Sequence, residues 1–256
     1  MKLRQFFIAG CVFLVAQTAL AQTPASQEPL LIIGASFAEG KTPFNNGTAP
    51  LGGIAAEFGR YLSLGQALTR NHKLPGLVIN EAQAGASTFA RFACATGSPT
   101  CGPASWDSYQ TQFDRAVRRV ALPPSFTSHS AKYVVITVAN DCLHADAFGV
   151  PQTASKPCTV NDMNASVDRM IAVGKSALSK GITPIFDVYP AYESLDLPLF
   201  KSLHGLQWVI SEWEYKHFRE MQRARIRAEL PGAIELDIWQ QFSHNGDGLH
   251  PATKAV

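Results

Sequence analysis

The stretch Leu30-Leu31-Ile32-Ile33-Gly34-Ala35-Ser36 decides the fold class that this sequence predicts. Its first four side chains are aliphatic at even and odd positions alike, which is typical of a strand buried on both faces of a parallel sheet. Gly34 ends the apolar run, and Ser36 follows it closely. Since open parallel sheets bind their ligands beyond the carboxyl ends of the strands, Ser36 lies where such a domain carries its functional residues.

Short apolar runs of the same kind recur along the chain and alternate with longer amphipathic stretches. The runs cover residues 76–79, 133–138, 182–188 and 233–238. The stretches between them include helical patterns at about residues 106–122, 162–180 and 212–230, each followed by proline or glycine. This alternation predicts an open, doubly wound α/β domain with five parallel strands.

Four polar or glycine-containing segments fall at the ends of these predicted strands. They are residues 34–40, residues 80–88, Asn140-Asp141 and the tetrapeptide Asp247-Gly248-Leu249-His250. Taken singly, a serine after a strand can cap a helix, Asn-Asp can form a turn, and an Asp-x-x-His sequence arises by chance. Taken together, the four segments meet at one edge of one sheet, and that edge is the one where α/β domains bind ligands.

The residue types in these segments suit nucleophilic catalysis. The hydroxyl of Ser36 needs a base to remove its proton, and a histidine such as His250 is well suited to that task near neutral pH. Asp247 can fix the tautomer of the imidazole and stabilise its charged form. The negative oxygen of a tetrahedral intermediate needs donors, which the backbone N–H of Gly85 and the side-chain amide of Asn140 can provide.

These motifs resemble the sequence blocks of the SGNH hydrolases, the GDSL-type esterases and lipases, a family named for its serine, glycine, asparagine and histidine. The resemblance covers nearly the whole chain after its first residues. The positions that match the family blocks are, in chain order, Ser36, Gly85, Asn140, Asp247 and His250. Two positions depart from the blocks, because Ala35 stands where the family usually has aspartate and Val138 where it usually has glycine.

The resemblance implies a flavodoxin-like three-layer α/β/α sandwich and a carboxylic ester hydrolase that forms an acyl-enzyme on Ser36. It also implies that the backbone N–H of Ser36 joins Gly85 and Asn140 in the oxyanion hole, and that neither a cofactor nor a metal takes part. Small-molecule, glycan or lipid esters are the expected substrates. Two alternatives stay open: an acyltransferase that uses the same acyl-enzyme, and a catalytically silent glycan-binding protein on the same fold.

The first residues are typical of a targeting segment rather than of a folded element. A short basic start precedes an apolar run over residues 6–16, and Ala19-Leu20-Ala21 supplies the small-x-small pattern that signal peptidase requires. We therefore expect a signal peptide at residues 1–21, a hydrolase domain at residues 22–256, and export to the periplasm or the medium. A membrane anchor and a lipoprotein signal at Cys11 are weaker alternatives, because the run is short and this cysteine lies inside it.

Cysteine usage agrees with export. Without Cys11, four cysteines remain, and an even count outside the cytoplasm indicates disulfides. Of the three possible pairings, the preferred one joins Cys94 to Cys101 and Cys142 to Cys158, because each pair brackets a segment rich in turn-forming residues. A metal site is the weaker alternative, since no CxxC spacing occurs.

Charge and composition narrow the classes of partner. The formal net charge is +2 over 256 residues, without a one-sided basic patch, so nucleic acid is not an expected partner. After removal of the signal, we expect no stable insertion into a membrane.

His144 and His244 lie close to the proposed site in the sequence and can line it. Four aromatic residues can form a wall over an acyl pocket or simply pack a helix on the sheet: Trp208, Trp213, Tyr215 and Phe218.

Overall fold

The computed structural model describes residues 28–39, 42–43, 61–62, 64–65, 68, 77–92, 105–121, 131–143, 158–204, 210–240, 242–244 and 246–251. The predicted signal peptide at residues 1–21 lies outside these residues, as do Cys94 and Cys101. In the described part of the chain, no helix combines the length and the apolar character that crossing a membrane requires.

Strands and helices alternate along the described chain. The strands are β1 (Leu30–Ile33), β2 (Thr42–Pro43), β3 (Tyr61–Leu62), β4 (Val78–Asn80), β5 (Arg91–Phe92), β6 (Ser105–Trp106), β7 (Tyr133–Ile136), β8 (Thr183–Asp187) and β9 (Ile234–Leu236). The helices are α1 (Ser36–Glu39), α2 (Tyr109–Val120), α3 (Val160–Ser179), α4 (Leu197–His204) and α5 (Glu212–Glu229), and a 3-10 turn covers Tyr192–Ser194.

Five strands form one parallel sheet in the order β4-β1-β7-β8-β9. β1 lies inside this sheet, where Leu31 is opposite Ile79 on one side and Val134 on the other. Leu31, Ile32 and Ile33 are fully buried, as their apolar run requires. The predicted α/β domain with five parallel strands is confirmed.

Three strands, β7, β8 and β9, end earlier than the apolar runs that predicted them, and β7 shows why. The run over residues 133–138 is a strand only as far as Ile136. Beyond that point the carbonyls of Val138 and Ala139 leave the sheet and accept hydrogen bonds from the hydroxyls of Tyr109 and Tyr189, at 2.9 and 2.6 Å. The last residues of the run therefore become part of the loop that leads to Asn140.

Helices α2, α3 and α5 pack side by side against the sheet. α3 begins after Thr159, whose hydroxyl accepts a hydrogen bond from the N–H of Asp162 while the Asp162 carboxylate accepts from the N–H of Thr159. The predicted start of α2 was wrong. Trp106 pairs with Arg91 between β6 and β5, and the helix begins after Ser108, whose hydroxyl caps it.

Two apolar clusters hold the sheet and its helices together. The larger one fills the space between the sheet and the helices and includes Ile33, Val134, Phe186, Phe113, Met170 and Phe218. A smaller cluster of Phe37, Val188 and Trp239 lies just beyond the carboxyl ends of β1, β8 and β9. The rings of Phe37 and Trp239 are 5.0 Å apart in an edge arrangement. Full burial of each such side chain contributes about 1.5–3 kcal/mol, so this cluster anchors α1 at the sheet edge.

Candidate active site

Ser36 is the first residue of α1, just beyond the end of β1. The turn between them requires glycine at Gly34, whose φ is +147° and where a Cβ would come within 1.8 Å of Thr137 Oγ1. The N–H of Gly34 donates to Gln112 Oε1 at 2.8 Å, which ties the turn to α2. The fold therefore places Ser36 at the carboxyl end of the sheet, where the sequence predicted it.

Ser36, His250 and Asp247 form a continuous hydrogen-bonded chain. Ser36 Oγ lies 3.0 Å from His250 Nε2, and His250 Nδ1 lies 2.5 Å from Asp247 Oδ2. The side chain of His250 is 13% exposed and that of Asp247 is 7% exposed, so water competes little for these bonds. The arrangement allows the imidazole to take the hydroxyl proton while the carboxylate holds its other nitrogen.

Asp247 is a buried carboxylate that accepts several hydrogen bonds. Its Oδ1 accepts from the backbone N–H groups of Leu249 and His250, each at 2.8 Å. Burial raises the pKa of Asp247, but the charge of His250, its hydrogen bond and the two backbone donors outweigh burial and lower the pKa to about 2. Asp247 is therefore ionised at neutral pH and can keep a proton on His250 Nδ1.

The loop that carries Asp247 and His250 is held by Asp196 and His244. Gly248 has φ +87°, and a Cβ there would lie 2.1 Å from the carbonyl oxygen of Asp196, so this position requires glycine. The N–H of Asp196 donates to the carbonyl of Gly248 at 2.8 Å. His244 Nδ1 accepts from the N–H groups of Gly246 and Gly248, at 3.1 and 3.2 Å. His244 thus shapes the loop from within.

Gly85 lies in a turn beyond β4, with φ +82°. Before it, the N–H of Gln83 donates to the carbonyl of Gly34 at 3.0 Å. After it, the carbonyl of Ala86 accepts from both the backbone N–H and the side-chain Nδ2 of Asn140, at 3.3 and 2.8 Å. The turn therefore spans the ends of β1 and β7, where the serine and the amide side chain lie.

Asn140 lines the pocket next to Ser36. Its side-chain nitrogen carries two protons, and the bond to Ala86 uses one of them, which leaves the second for a group bound in the pocket. Val138, which replaces the usual glycine of this sequence block, lines the same pocket. Gly85 is not among the lining residues.

The pocket beside Ser36 is lined largely by apolar and aromatic side chains. They include Leu143, Tyr189, Tyr215, Trp239, Phe242 and Leu249. The hydroxyls of Tyr189 and Tyr215 donate to the backbone carbonyls of Ala139 and Pro190, at 2.6 and 2.9 Å. With their polar ends satisfied in this way, the two tyrosines can offer their rings to an apolar group.

The aromatic wall expected from the sequence is formed mostly by other residues. Tyr215 lines the pocket, whereas Phe218 lies in the core and Trp213 is 67% exposed. Trp208 and His144 lie outside the described residues. Tyr189 and Trp239 also line the pocket and were not expected from the sequence. A signal was present, since each of them directly follows an apolar run at a strand end.

A disulfide joins Cys142 to Cys158, with Cα atoms 5.1 Å apart. It connects the loop after Asn140 to the residue before the cap of α3. In the described residues, no group of three or more histidine, cysteine or acidic side chains is arranged to hold a metal ion.

Reduction of the bond between Cys142 and Cys158 is expected to lower the free energy of unfolding by about 3 kcal/mol, because it frees a closed loop of roughly 16 residues in the unfolded chain. Urea unfolding of the Cys142→Ser/Cys158→Ser variant against wild type measures this. Four free thiols in the native wild-type protein would contradict the pairing.

Comparisons with known proteins agree with the fold. No family model and no curated protein matches the chain. Among solved structures, the chain is similar to a carbohydrate esterase whose active site is described as displaying divergent catalytic and non-catalytic binding functions. The TM-score is 0.56 and the sequence identity 12%, over 91% of this chain. The chain spans 65% of the length of that protein.

Two further solved structures are similar over most of their length. A GDSL-like lipase from Bacteroides thetaiotaomicron has a TM-score of 0.48 and 13% identity, over 93% of this chain and 86% of that one. An acetyl-xylooligosaccharide esterase from Geobacillus Stearmophilus, solved as a mutant, has a TM-score of 0.47 and 10% identity, over 90% and 89%. At 12% identity, the similarity to the carbohydrate esterase is a similarity of fold.

Proposed function

We propose that this chain is an exported carboxylic ester hydrolase that works through an acyl-enzyme on Ser36, without a metal or a cofactor. The observation that carries the proposal is the hydrogen-bonded chain from Ser36 Oγ to His250 Nε2, at 3.0 Å, and from His250 Nδ1 to Asp247 Oδ2, at 2.5 Å. A serine held against a histidine whose other nitrogen faces a buried carboxylate is the arrangement that activates a hydroxyl for attack.

In the first half of the reaction, His250 Nε2 takes the proton of Ser36 as Oγ attacks the carbonyl carbon of the ester. The tetrahedral intermediate then collapses, the bond to the alcohol oxygen breaks, and the alcohol leaves with the proton from His250. In the second half, water loses a proton to His250 and attacks the acyl-enzyme. Ser36 then leaves with that proton and the carboxylic acid is released. Asp247, ionised throughout, stabilises the charged imidazole in both halves.

The negative oxygen of both intermediates would be bound by three donors: the backbone N–H groups of Ser36 and Gly85 and the side chain of Asn140. Two features support this assignment. The turn with Gly85 connects the ends of β1 and β7 through hydrogen bonds to Gly34 and Asn140. The amide nitrogen of Asn140 lies in the pocket wall with a second proton to donate.

The Asn140→Ala variant is expected to lower kcat about 10²- to 10³-fold with little change in KM, because the lost donor acts on charge that develops only in the transition state. Steady-state kinetics together with the melting temperature test this. A lower melting temperature with unchanged kcat per folded molecule would mean that Asn140 serves only as a turn residue.

The apolar pocket supports esters whose acyl group is small and uncharged. Rings of Tyr189, Tyr215 and Trp239 line it, and in the described part of the chain its lining residues include no lysine, arginine, aspartate or glutamate. The first similar structure is described as a carbohydrate esterase, so we include acetylated glycans among the proposed substrates.

Export is part of the proposal on two grounds. The first residues carry a basic start, an apolar run and Ala19-Leu20-Ala21. The disulfide between Cys142 and Cys158 would persist in an oxidising compartment. The N-terminus of the exported protein should be Gln22, and a lipid-modified N-terminus at Cys11 would contradict this.

The activity is tested with a series of p-nitrophenyl esters of increasing acyl length, together with acetylated xylan. We expect hydrolysis of the short esters, with kcat/KM falling once the acyl chain is too long for the pocket. Release of acetate from xylan would extend the activity to glycan esters. No hydrolysis of any ester by the folded protein would contradict the proposal. Transfer to an added alcohol in place of hydrolysis would identify an acyltransferase that uses the same intermediate.

A further inference from the structure

A buried polar cluster lies beside the proposed oxyanion donors and is not used by the mechanism above. Its centre is the carboxylate of Asp141, whose side chain is 3% exposed. The carboxylate accepts from the backbone N–H of Thr88 at 2.7 Å, from the Thr88 hydroxyl, and from Arg169 Nη2 at 3.1 Å. These three residues come from three parts of the chain: the loop after β7, the loop after β4, and the middle of α3.

Arg169 completes the cluster from the helix side. Its Nε donates to Thr88 Oγ1 at 2.6 Å, so the hydroxyl of Thr88 accepts from Arg169 and donates its own proton to Asp141. The guanidinium group also lies over the ring of Phe89, 5.1 Å from its centre. The backbone N–H and the hydroxyl of Thr88 therefore both have hydrogen-bond partners in the cluster. These bonds fix the loop after β4 relative to α3.

The location of the cluster distinguishes it from an ordinary internal ion pair. Asp141 directly follows Asn140, and Thr88 follows Gly85 by three residues. Between them, the carbonyl of Ala86 accepts both hydrogen bonds from Asn140. The two loops that would supply oxyanion donors are thus joined at two successive points. The Asp141 carboxylate is buried while the Arg169 side chain is 37% exposed. An ion pair of this kind need not add stability over apolar residues of similar volume, and it can instead specify one geometry.

We propose that Asp141, Thr88 and Arg169 are positioning residues that hold the loops of Gly85 and Asn140 at the spacing the oxyanion requires. The inference rests on the proposed function and adds to it three residues that do not touch the substrate. Its physical basis is the sensitivity of oxyanion stabilisation to geometry, since a displacement of about 1 Å in an active site can lower the rate about 10²-fold.

The test compares three single variants of the full chain. Arg169→Met removes the guanidinium, Thr88→Val removes the hydroxyl while keeping the backbone N–H, and Asp141→Asn turns an amide nitrogen towards donors. We expect kcat to fall about 10-fold for the first two and about 10²-fold for the third, with KM nearly unchanged, because each loosens donors that act in the transition state. Arg169→Lys should recover only part of the loss, because lysine cannot make both contacts at once.

A matched control separates positioning from stability. Arg223 on α5 donates to Glu235 on β9 at 2.9 Å, outside the pocket, so Arg223→Met should lower the melting temperature with kcat unchanged. A second control is the double variant Asn140→Ala/Arg169→Met. If Arg169 acts through the oxyanion donors, the fold-loss of kcat in the double variant should be much smaller than the product of the fold-losses in Asn140→Ala and Arg169→Met. Losses that multiply fully, or a kcat unaffected by Arg169→Met, would overturn the proposal.

A readout without substrate keeps this inference apart from the proposed function. Amide hydrogen exchange of the peptides that contain Thr88 and Asn140 should be faster in Arg169→Met than in wild type and unchanged in Arg223→Met. If wild type hydrolyses no ester but this difference is found, the proposed function fails while the cluster still positions the two loops. If exchange at both loops is the same in Arg169→Met and wild type, the positioning role is excluded.

Discussion

Replacing Ser36 by alanine is expected to lower kcat about 10⁴- to 10⁶-fold, because the variant has no oxygen to form the acyl-enzyme. The fold should survive, since among the described residues Ser36 Oγ is hydrogen-bonded to His250 alone, and the turn before it depends on Gly34 and Gln112. The free energy of unfolding should change by no more than about 1 kcal/mol. Steady-state hydrolysis and thermal unfolding of the same preparation measure both effects.

Ser202→Ala is a suitable control for this variant. Ser202 lies on α4, and its hydroxyl donates to the carbonyl of Leu199 at 2.8 Å. The substitution removes the same atom type and one hydrogen bond, so stability should change to a similar extent while kcat stays at the wild-type value. Near-normal hydrolysis by Ser36→Ala would remove the nucleophile assignment and the acyl-enzyme with it.

The Asp247→Asn variant is expected to lower kcat about 10⁴-fold, judging from the general behaviour of serine-histidine-aspartate triads. An asparagine side chain can donate to His250 Nδ1, which favours the tautomer with the proton on Nε2. That nitrogen then cannot take the proton of Ser36. The backbone N–H groups of Leu249 and His250 can still bond to the asparagine oxygen, so the loop should keep its shape.

The pH dependence of stability provides an independent check on Asp247. Its pKa of about 2 in the folded protein is below the ordinary value of 3.8, so ionised Asp247 stabilises the fold above about pH 4. This contribution, about 2 kcal/mol, is lost as the pH falls towards 2. The stability difference between wild type and Asp247→Asn should shrink over that range. The control for the kcat of Asp247→Asn is Asp168→Asn, which removes a carboxylate from an exposed ion pair with Arg225 and should leave kcat unchanged. A loss of kcat of less than tenfold in Asp247→Asn would contradict the assignment of Asp247 as the acid of the triad.

The strands and the positions of the main candidate site residues follow from local sequence signals. The run before Ser36 is apolar on both faces and ends in glycine, which predicted both β1 and the position of the serine. Asn140 also follows an apolar run closely, whereas the Asp247–His250 pair lies further on, in the loop after the last run. The sheet order was not needed for this step, because parallel strands bring all their carboxyl ends to one edge.

The features that sequence reasoning missed depend on contacts between distant residues. Arg169 looks like any polar position on an amphipathic helix, and its contact with Thr88 joins residues 81 positions apart. The role of His244 depends on two glycine N–H groups that meet only when the loop has folded. Trp106 fits the amphipathic pattern that predicted a helix from about residue 106, but it pairs with Arg91 in a two-stranded ladder and therefore lies outside α2.

Covalent labelling by a fluorophosphonate tests whether Ser36 is a nucleophile that His250 activates. The purified wild-type protein is incubated with the reagent, digested, and mapped by mass spectrometry. We expect one phosphonyl group per chain, on the peptide that contains Ser36, and strongly slowed labelling in His250→Ala. Absence of the adduct from folded wild-type protein, or its attachment to any residue other than Ser36, would mean that Ser36 is not the activated nucleophile.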